Sequence, residues 1–168
     1  IIHLMARSLQ RNIPERMEDA LRRVEGAFSV VAMTRTKLIG VRDPLGVRPL
    51  VLGRIGDGWA LSSETCALDI IGAEFVREIK PGEMVVIQNS GVESHFPFKP
   101  QNSRFCIFEH VYFSRPDSII GGHSVYETRR QIGVELAKES PVAADLVCPV
   151  PDSGTPAAIG FSQESGIP

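Results

Sequence analysis

The residues best suited to chemistry lie in one loop near the end of the chain, Pro151-Asp152-Ser153-Gly154-Thr155. The loop follows a predicted strand and precedes a predicted helix, a position where ligands bind in open α/β sheets. Exposed amides and the helix dipole at such a position favour an anion, for example a phosphate group. Asp152 or Ser153 could also contact a ribose hydroxyl or a metal. The alternative is that Ser153 and Thr155 only cap the helix.

Two polar groups earlier in the chain favour a structural role. Arg42 and Asp43 could form a catalytic pair, but they precede Pro44, and a turn held by a buried ion pair is the favoured interpretation. Ser62-Ser63-Glu64 could supply a nucleophile. Because the segment has neither a Gly-x-Ser-x-Gly elbow nor a placed base, capping of the following helix is favoured.

The cysteines and histidines show no spacing typical of a metal site. Cys106 could be a nucleophile or a metal ligand, although a buried apolar thiol is the default when no second cysteine is near. Cys66 and Cys148 are predicted to lie in the core. The histidines are scattered along the chain at His3, His95, His110 and His123.

Length and composition narrow the class of protein. The chain has 168 residues, enough for one sizeable domain or parts of two, and its net charge of −2 gives no reason to expect a nucleic-acid partner. No apolar run reaches the roughly 18 residues of a membrane span. Three widely spaced cysteines without a CxxC pair indicate a reducing compartment, so we expect a cytoplasmic protein. The first and last residues suggest an internal fragment of a longer chain.

The first part of the chain is predicted to be an antiparallel meander with helices, which needs sheet-on-sheet or helix-on-sheet packing. Helices are predicted at 1–12, with Pro14 breaking the first, and at 15–25. Strands are predicted at 27–33 (as a buried run), 37–41, 49–53, 59–62, 74–79, 84–88 and 92–96, with a short helix at 66–71.

The second part predicts the beginning of a parallel α/β sheet. Residues 97–103 form a polar connector, and the aromatic-rich stretch 104–122 is predicted to be a seam between two domains, with Arg115 and Asp117 paired locally. A helix is predicted at 124–139, with its inward face at Val125, Ile132, Leu136 and Ala137. A buried strand at 145–150 and a helix from Thr155 to Ser165, with Thr155 as N-cap and Pro156 at its first position, complete the pattern.

Several motifs carry a resemblance to a known family. Residues 42–50 and 62–68 resemble class II glutamine amidotransferases. Residues 106–118 and 150–156 are similar to one branch of these, the amidophosphoribosyltransferases, also called glutamine phosphoribosylpyrophosphate amidotransferases. The four stretches read Arg-Asp-Pro-Leu-Gly-Val-Arg-Pro-Leu, Ser-Ser-Glu-Thr-Cys-Ala-Leu, Cys-Ile-Phe-Glu-His-Val-Tyr-Phe-Ser-Arg-Pro-Asp-Ser and Val-Pro-Asp-Ser-Gly-Thr-Pro.

The resemblance implies a fold class and a domain order. We expect the C-terminal part of an α+β N-terminal-nucleophile glutaminase domain, a four-layer αββα sandwich, over residues 1–96. An inter-domain seam over 97–123 would lead into the start of an α/β type I phosphoribosyltransferase domain over 124–168.

The resemblance also implies the activity. Glutamine, phosphoribosyl pyrophosphate and water would give 5-phosphoribosylamine, glutamate and pyrophosphate, in the first committed step of purine synthesis. An N-terminal cysteine would hydrolyse glutamine, and ammonia would pass through an internal channel to the second domain. Implied partners are glutamine, phosphoribosyl pyrophosphate, purine nucleotides as feedback inhibitors and further copies in a homotetramer, with no nucleic acid and no membrane.

Few of the family's functional residues fall within this segment, and no catalytic residue is expected here. The terminal cysteine and the glutamine-binding residues would precede Ile1, and the phosphoribosyl pyrophosphate loop would follow Pro168. By resemblance, Asp152, Ser153, Gly154 and Thr155 would bind substrate, and Ser153 would be a ligand of Mg²⁺. Cys106 would be one of the four thiolates of the 4Fe-4S cluster that a subgroup carries.

Two alternatives remain beside this enzyme. One is a non-catalytic nucleotide-binding or assembly module, in which regulatory and subunit contacts persist without active residues. The other is an asparagine-synthetase-like amidotransferase, although the Ser-Gly-Gly ATP-binding loop expected of it is absent.

Overall fold

The computed structural model describes residues 1–168, which form two compact units. The first unit comprises Ile1–Ser63 and Ile71–Cys106. The second comprises Glu64–Ile70 and Ile107–Pro168. The short segment Glu64–Ile70 therefore folds with residues that follow it by about forty positions or more, and the predicted seam is divided between the units at residue 106.

Antiparallel strands form two sheets in the first unit. The strands are β1 (Ser29–Met33), β2 (Leu38–Arg42), β3 (Val51–Ile55), β4 (Gly58–Ser62), β5 (Glu74–Glu78), β6 (Met84–Gln88) and β7 (Gly91–His95). One sheet has the order β1-β2-β6-β7 and the other β4-β3-β5. Every strand lies within two residues of its prediction, but the single meander is wrong because β3 to β5 leave the first sheet before β6 returns to pair with β2.

Strand alternation builds three layers. Ile39, Val41, Met84 and Val86 face one helix and form a core with its Met17 and Leu21. Their neighbours Val85 and Ile87 face the other way and pack with Leu52 of the second sheet and with Leu50 and Ile79, which flank its strands. The arrangement is helix, sheet, sheet, as the period of two in a strand requires when both faces are covered. The predicted buried run at β1 is wrong, because this edge strand alternates between exposed and half-buried residues.

The N-terminal helices are shorter than predicted. Helix α1 (Ile2–Arg7) ends before Leu9, which is fully exposed. Helix α2 (Ile13–Leu21) begins with Asn12 as its N-cap, whose Oδ1 accepts from Glu15 N at 3.0 Å. Pro14 thus opens α2 and does not break α1, since the first turn of a helix tolerates a missing N–H.

Arg42 holds the turn between the two sheets. Its buried guanidinium donates to the carbonyl oxygens of Arg48, Ile79 and Gly46 at 2.7–3.0 Å. Its ion-pair partner is Glu78, at 3.7 Å. The predicted turn is confirmed, but the ion pair is between Arg42 and Glu78 and not between Arg42 and Asp43, and most of the Arg42 contacts are backbone carbonyls.

Asp43 completes the same turn by accepting from its backbone. Its carboxylate accepts from Leu45 N at 2.9 Å and Val47 N at 3.2 Å. The turn also fixes the segment that leads into the aromatic stretch, because Arg104 N donates to Leu45 O and Cys106 N to Val47 O.

A second buried charge, Glu83, links the sheets through Arg77. The carboxylate accepts two hydrogen bonds from the Arg77 guanidinium at 2.7 and 2.9 Å, and one each from Ser94 Oγ and Lys80 N. Burial raises the pKa of Glu83, but these donors outweigh it and hold the pKa below its usual value of 4.5.

Helices dominate the second unit. It contains α3 (Thr65–Ile70), a π-helix (Glu109–Phe113), the two-residue strands β8 (Ile119–Ile120) and β9 (His123–Ser124), and the helices α4 (Val125–Glu139) and α5 (Gly154–Ser165). Ser124 caps α4 by accepting from Glu127 N. None of the helices of either unit is long and apolar enough to cross a membrane.

The inward face of α4 differs from the prediction. Val125 and Ala137 are buried as expected, but Ile132 and Leu136 are 44% and 50% exposed. The buried positions instead include Arg129, Gly133 and Val134. Gly133 faces inward because α4 and α5 are in close contact there, and a close helix contact requires a small residue.

The strand predicted at 145–150 is wrong. The segment has no ladder partner, and Val147 N donates only to Pro168 O. Its apolar side chains are exposed, including Val150 at 82%, and Cys148 is exposed as well, against the predicted core position. A strand exists only through its pairing, so an apolar run alone does not make one.

The Glu83 network predicts an acid-sensitive stability. Replacing Glu83 by Gln should lower the free energy of unfolding by about 1–3 kcal/mol near pH 7, because Arg77 loses its charged acceptor. The pKa of Glu83 is lowered on folding, so its contribution is present above pH 4.5 and disappears as the pH falls through the lowered value. Denaturant unfolding from pH 7 to pH 3 measures this. The wild-type advantage over Glu83→Gln should shrink towards pH 3.

The matched control is Glu74→Gln, an exposed glutamate on β5. It should change the unfolding free energy by less than about 0.5 kcal/mol. A wild-type advantage over Glu83→Gln that stays constant across this pH range would contradict the assignment.

Candidate functional site

The loop 151–155 lies at the N-terminus of α5, as the sequence predicted. Asp152 and Thr155 are exposed, and Ser153 and Gly154 are half-buried. The peptide bond between Pro151 and Asp152 is cis. Helix α5 starts at Gly154, so Ser153 and not Thr155 is the N-cap, and the Ser153 side chain makes no capping hydrogen bond.

The backbone amides of this loop are less available than predicted. Gly154 N donates to Val150 O and Thr155 N donates to Asp152 O, each at 3.2 Å. The next residue, Pro156, has no N–H. An anion would therefore meet the dipole of α5 and only part of the predicted set of exposed amides, since those of Asp152 and Ser153 donate to no backbone carbonyl. The remaining polar groups are the amides of Asp152 and Ser153, the carboxylate of Asp152 and the hydroxyls of Ser153 and Thr155.

These oxygen donors are of the type that Mg²⁺ accepts. Mg²⁺ takes one or two protein ligands and completes its octahedron with water and phosphate oxygens. The structure contains no group of three or more His, Cys, Asp or Glu residues that could hold a metal by themselves. The loop thus fits a cation that takes most of its ligands from a bound diphosphate and water.

An iron–sulfur cluster is not assembled by the cysteines of this chain. A 4Fe-4S cluster needs four thiolates. Cys106 is half-buried in the first unit, Cys66 is buried in α3, and Cys148 is exposed beyond α4. No metal-binding group brings three of them together.

Two glycines set the distance between α4 and α5. A Cβ built on Gly133 would lie 1.8 Å from Ala157 O, and one on Gly160 would lie 1.9 Å from Arg130 O. The helices therefore touch backbone to backbone at both points. Because α5 begins directly after Ser153, this contact determines where the loop stands relative to α4.

A hydrogen-bonded clamp that sequence reasoning missed joins two of the motifs. Oε2 of Glu64 accepts from Arg115 N at 2.7 Å and from Ser118 Oγ at 2.8 Å. Next to it, Thr65 Oγ1 accepts from Ile119 N at 2.8 Å. Glu64 was expected to serve the cap of α3, but its carboxylate binds the turn at residues 115–118. The local pair of Arg115 and Asp117 is confirmed, at 2.9 Å.

Arg129 fastens the same turn from the side of α4. Its buried guanidinium donates to His110 O at 2.6 Å and to Ser114 O at 2.7 Å, which are carbonyls in and after the π-helix. Burial lowers the pKa of Arg129, and the carboxylate of Glu64 opposes that shift. Burial likewise raises the pKa of the Cys66 thiol, which makes it a poor nucleophile.

Part of the chain matches a known family, and the whole chain is similar to known proteins. Residues 1–69 match the family described as glutamine amidotransferase domain. Amidophosphoribosyltransferase of Rhizobium etli is 55% identical over the whole chain, which covers 35% of that protein. Amidophosphoribosyltransferase 1 of Arabidopsis thaliana, a chloroplastic protein, is 48% identical over the whole chain, which covers 30% of it.

The chain is homologous along its whole length to amidophosphoribosyltransferases. It spans about a third of the length of these relatives. The resemblance noted from the motifs is therefore confirmed.

Two solved structures are similar to this chain over nearly its whole length. Glutamine phosphoribosylpyrophosphate amidotransferase from B. subtilis, complexed with ADP and GMP, matches 99% of the chain with a TM-score of 0.95 and 42% identity, and the match covers 37% of that protein. A structure described as the allosteric regulatory enzyme of purine biosynthesis gives the same TM-score and identity over 36% of its chain.

The helix contact gives a prediction for stability. Gly160→Ala places a methyl group against the Arg130 carbonyl, and neither backbone can move cheaply. It should lower the free energy of unfolding by about 1–3 kcal/mol or more, measured by denaturant titration. Gly154→Ala on the same helix is the control, since a Cβ there meets nothing within 4 Å. Equal stability of the two variants would show that the contact at Gly160 is not tight.

Proposed function

We propose that this chain is part of an amidophosphoribosyltransferase. The full-length enzyme would convert glutamine, phosphoribosyl pyrophosphate and water into 5-phosphoribosylamine, glutamate and pyrophosphate, the first committed step of purine synthesis. The observation that carries the proposal is 55% identity to one such protein along all of this chain. The whole reaction would need residues outside these 168, because the relatives are about three times as long.

The two compact units support an assignment to two domains, one for each half of the reaction. We assign residues 1–96 to the later part of a glutaminase domain, 97–123 to the seam and 124–168 to the start of a phosphoribosyltransferase domain. In the first unit, the helix layer and two antiparallel sheets would be three of the four layers of an αββα sandwich. The fourth layer is part of the proposal, and so is the parallel sheet of the second domain.

Under this proposal the loop 152–155 contacts the phosphoribosyl substrate. Ser153 would hold Mg²⁺ through its hydroxyl, and Asp152 and Thr155 offer oxygen atoms to water or ribose. Gly154 leaves open space for a close approach. Bound Mg²⁺ would neutralise charge on the departing pyrophosphate. The residues of this chain would orient the substrate, and the attacking ammonia would come from the glutaminase half.

Partners follow from the same proposal. Glutamine and phosphoribosyl pyrophosphate would be substrates, and purine nucleotides would regulate the enzyme, supported by the solved B. subtilis relative complexed with ADP and GMP. A homotetramer is the expected assembly. A cluster role for Cys106 stays a prediction, which iron and sulfide analysis of the full-length protein tests.

Ser153→Ala in the full-length protein tests the assigned role of the loop. Loss of the hydroxyl should weaken the Mg²⁺-dependent formation of 5-phosphoribosylamine from ammonia on the order of tenfold, the scale typical for removing a group that supports a metal. Release of glutamate from glutamine should be largely unchanged, because that chemistry uses other residues. The two activities are measured separately, with ammonia and with glutamine.

Ser165→Ala, at the far end of α5, serves as the control and should keep both activities. If Ser153→Ala lowers both activities equally, the assigned role is wrong.

A further inference from the structure

We propose that Glu64 is a positioning residue for the loop 152–155. This inference rests on the proposed function for what the loop binds. Glu64 itself would touch no substrate. It would act through the turn at residues 115–118, the N-terminus of α4 and the contact of α4 with α5.

The first step is the clamp at Glu64. One oxygen of its carboxylate accepts from both Arg115 N and Ser118 Oγ. Ser118 is fully buried, so its hydroxyl has no water to replace the lost acceptor if Glu64 is removed. A buried donor without a partner is costly, and the turn would rearrange to relieve it.

The second step leads from the turn to α4. Val125 N donates to Ser118 O and Tyr126 N to Pro116 O, each at 3.0 Å. The first amides of α4, which have no acceptor within the helix, thus take their acceptors from the turn that Glu64 holds. Arg129, one helical turn further along α4, donates to Ser114 O, the carbonyl directly before residues 115–118. A shift of the turn therefore shifts the N-terminus of α4.

The third step leads from α4 to the loop. The backbone contacts at Gly133 and Gly160 leave no room for α4 to move closer to α5. Packed backbones transmit displacement because they cannot be compressed. Since Ser153 is the N-cap of α5, a displaced α4 carries the loop with it.

Glu64 also has a special place along the chain. It follows β4 of the first unit by two residues, yet it folds into the second unit. The clamp is therefore made by a segment that interrupts the glutaminase-like sequence and contributes to the unit with the loop.

The experiment compares Glu64→Ala, Glu64→Gln and Asp69→Ala in the full-length protein. Asp69 is exposed on the same helix as the clamp and serves as the matched control. Glutamine keeps an oxygen that can accept from both donors, so Glu64→Gln should restore most of what Glu64→Ala loses. Hydrogen exchange without any substrate reports on the loop directly, and ammonia-dependent synthesis reports on its use.

In Glu64→Ala we expect amide exchange to rise about tenfold at residues 114–126 and at 152–158, while the sheets of the first unit keep their protection. The kcat/KM for phosphoribosyl pyrophosphate with ammonia should fall about tenfold, and glutaminase activity should persist. Asp69→Ala should match the wild type in every measurement.

Three results would overturn the inference: wild-type exchange at 152–158 in Glu64→Ala, an equal rise of exchange throughout the chain, or no recovery in Glu64→Gln. If Glu64→Ala does not fold, Ser118→Ala removes one of the two hydrogen bonds and is judged by the same exchange pattern. A wild-type protein without ammonia-dependent synthesis would refute the proposed function, while the exchange comparison would still decide the role of Glu64.

Discussion

The hydrogen bonds from Arg115 N and Ser118 Oγ to the carboxylate of Glu64 hold the turn on which the second unit is built. The π-helix ends just before this turn, and α4 takes its first acceptors from it. The buried hydroxyl of Ser118 needs an acceptor from elsewhere in the chain, because water cannot reach it. That need explains why Glu64–Ile70 leaves the unit of its sequence neighbours and folds with residues that come much later.

The first unit contains buried charged residues, which also need partners from elsewhere in the chain. Two buried charged residues, Arg42 and Glu83, lie where the chain passes from one sheet to the other. Each of them makes several hydrogen bonds. Arg42 donates hydrogen bonds mainly to carbonyl oxygens, and Glu83 accepts hydrogen bonds from a guanidinium, an amide and a hydroxyl. Burial of an unpaired charge would cost far more than these contacts return. These networks therefore keep both buried charges paired at the connections between the two sheets.

Local sequence patterns predicted the strands of the first unit and most helix ends. They failed where the structure of a segment depends on a partner that is distant in sequence. Alternation and turn residues placed β2 to β7, because those signals act between near neighbours. The strand at 145–150 failed because its apolar run has no ladder, and the α4 face failed because Gly133 decides the approach of α5. The loop 151–155 lies at the N-terminus of a helix, as predicted, but two of its amides, Gly154 N and Thr155 N, already donate to backbone carbonyls. The Glu64 clamp, 51 and 54 residues from its partners, left no local signal.

The engaged amides change how the loop would recognise its ligand. A helix N-terminus with open amides binds a phosphate directly, through N–H groups aimed at its oxygens. Here Gly154 N and Thr155 N already donate to backbone carbonyls. Under the proposed function, a diphosphate would be held through the Ser153 hydroxyl and a bridging cation, assisted by the dipole of α5 and by the amides of Asp152 and Ser153. Recognition through a cation demands an accurately placed oxygen, since Mg²⁺ tolerates little departure from octahedral geometry. A loop of this kind depends on rigid support, which the glycine contact and the Glu64 clamp together would provide.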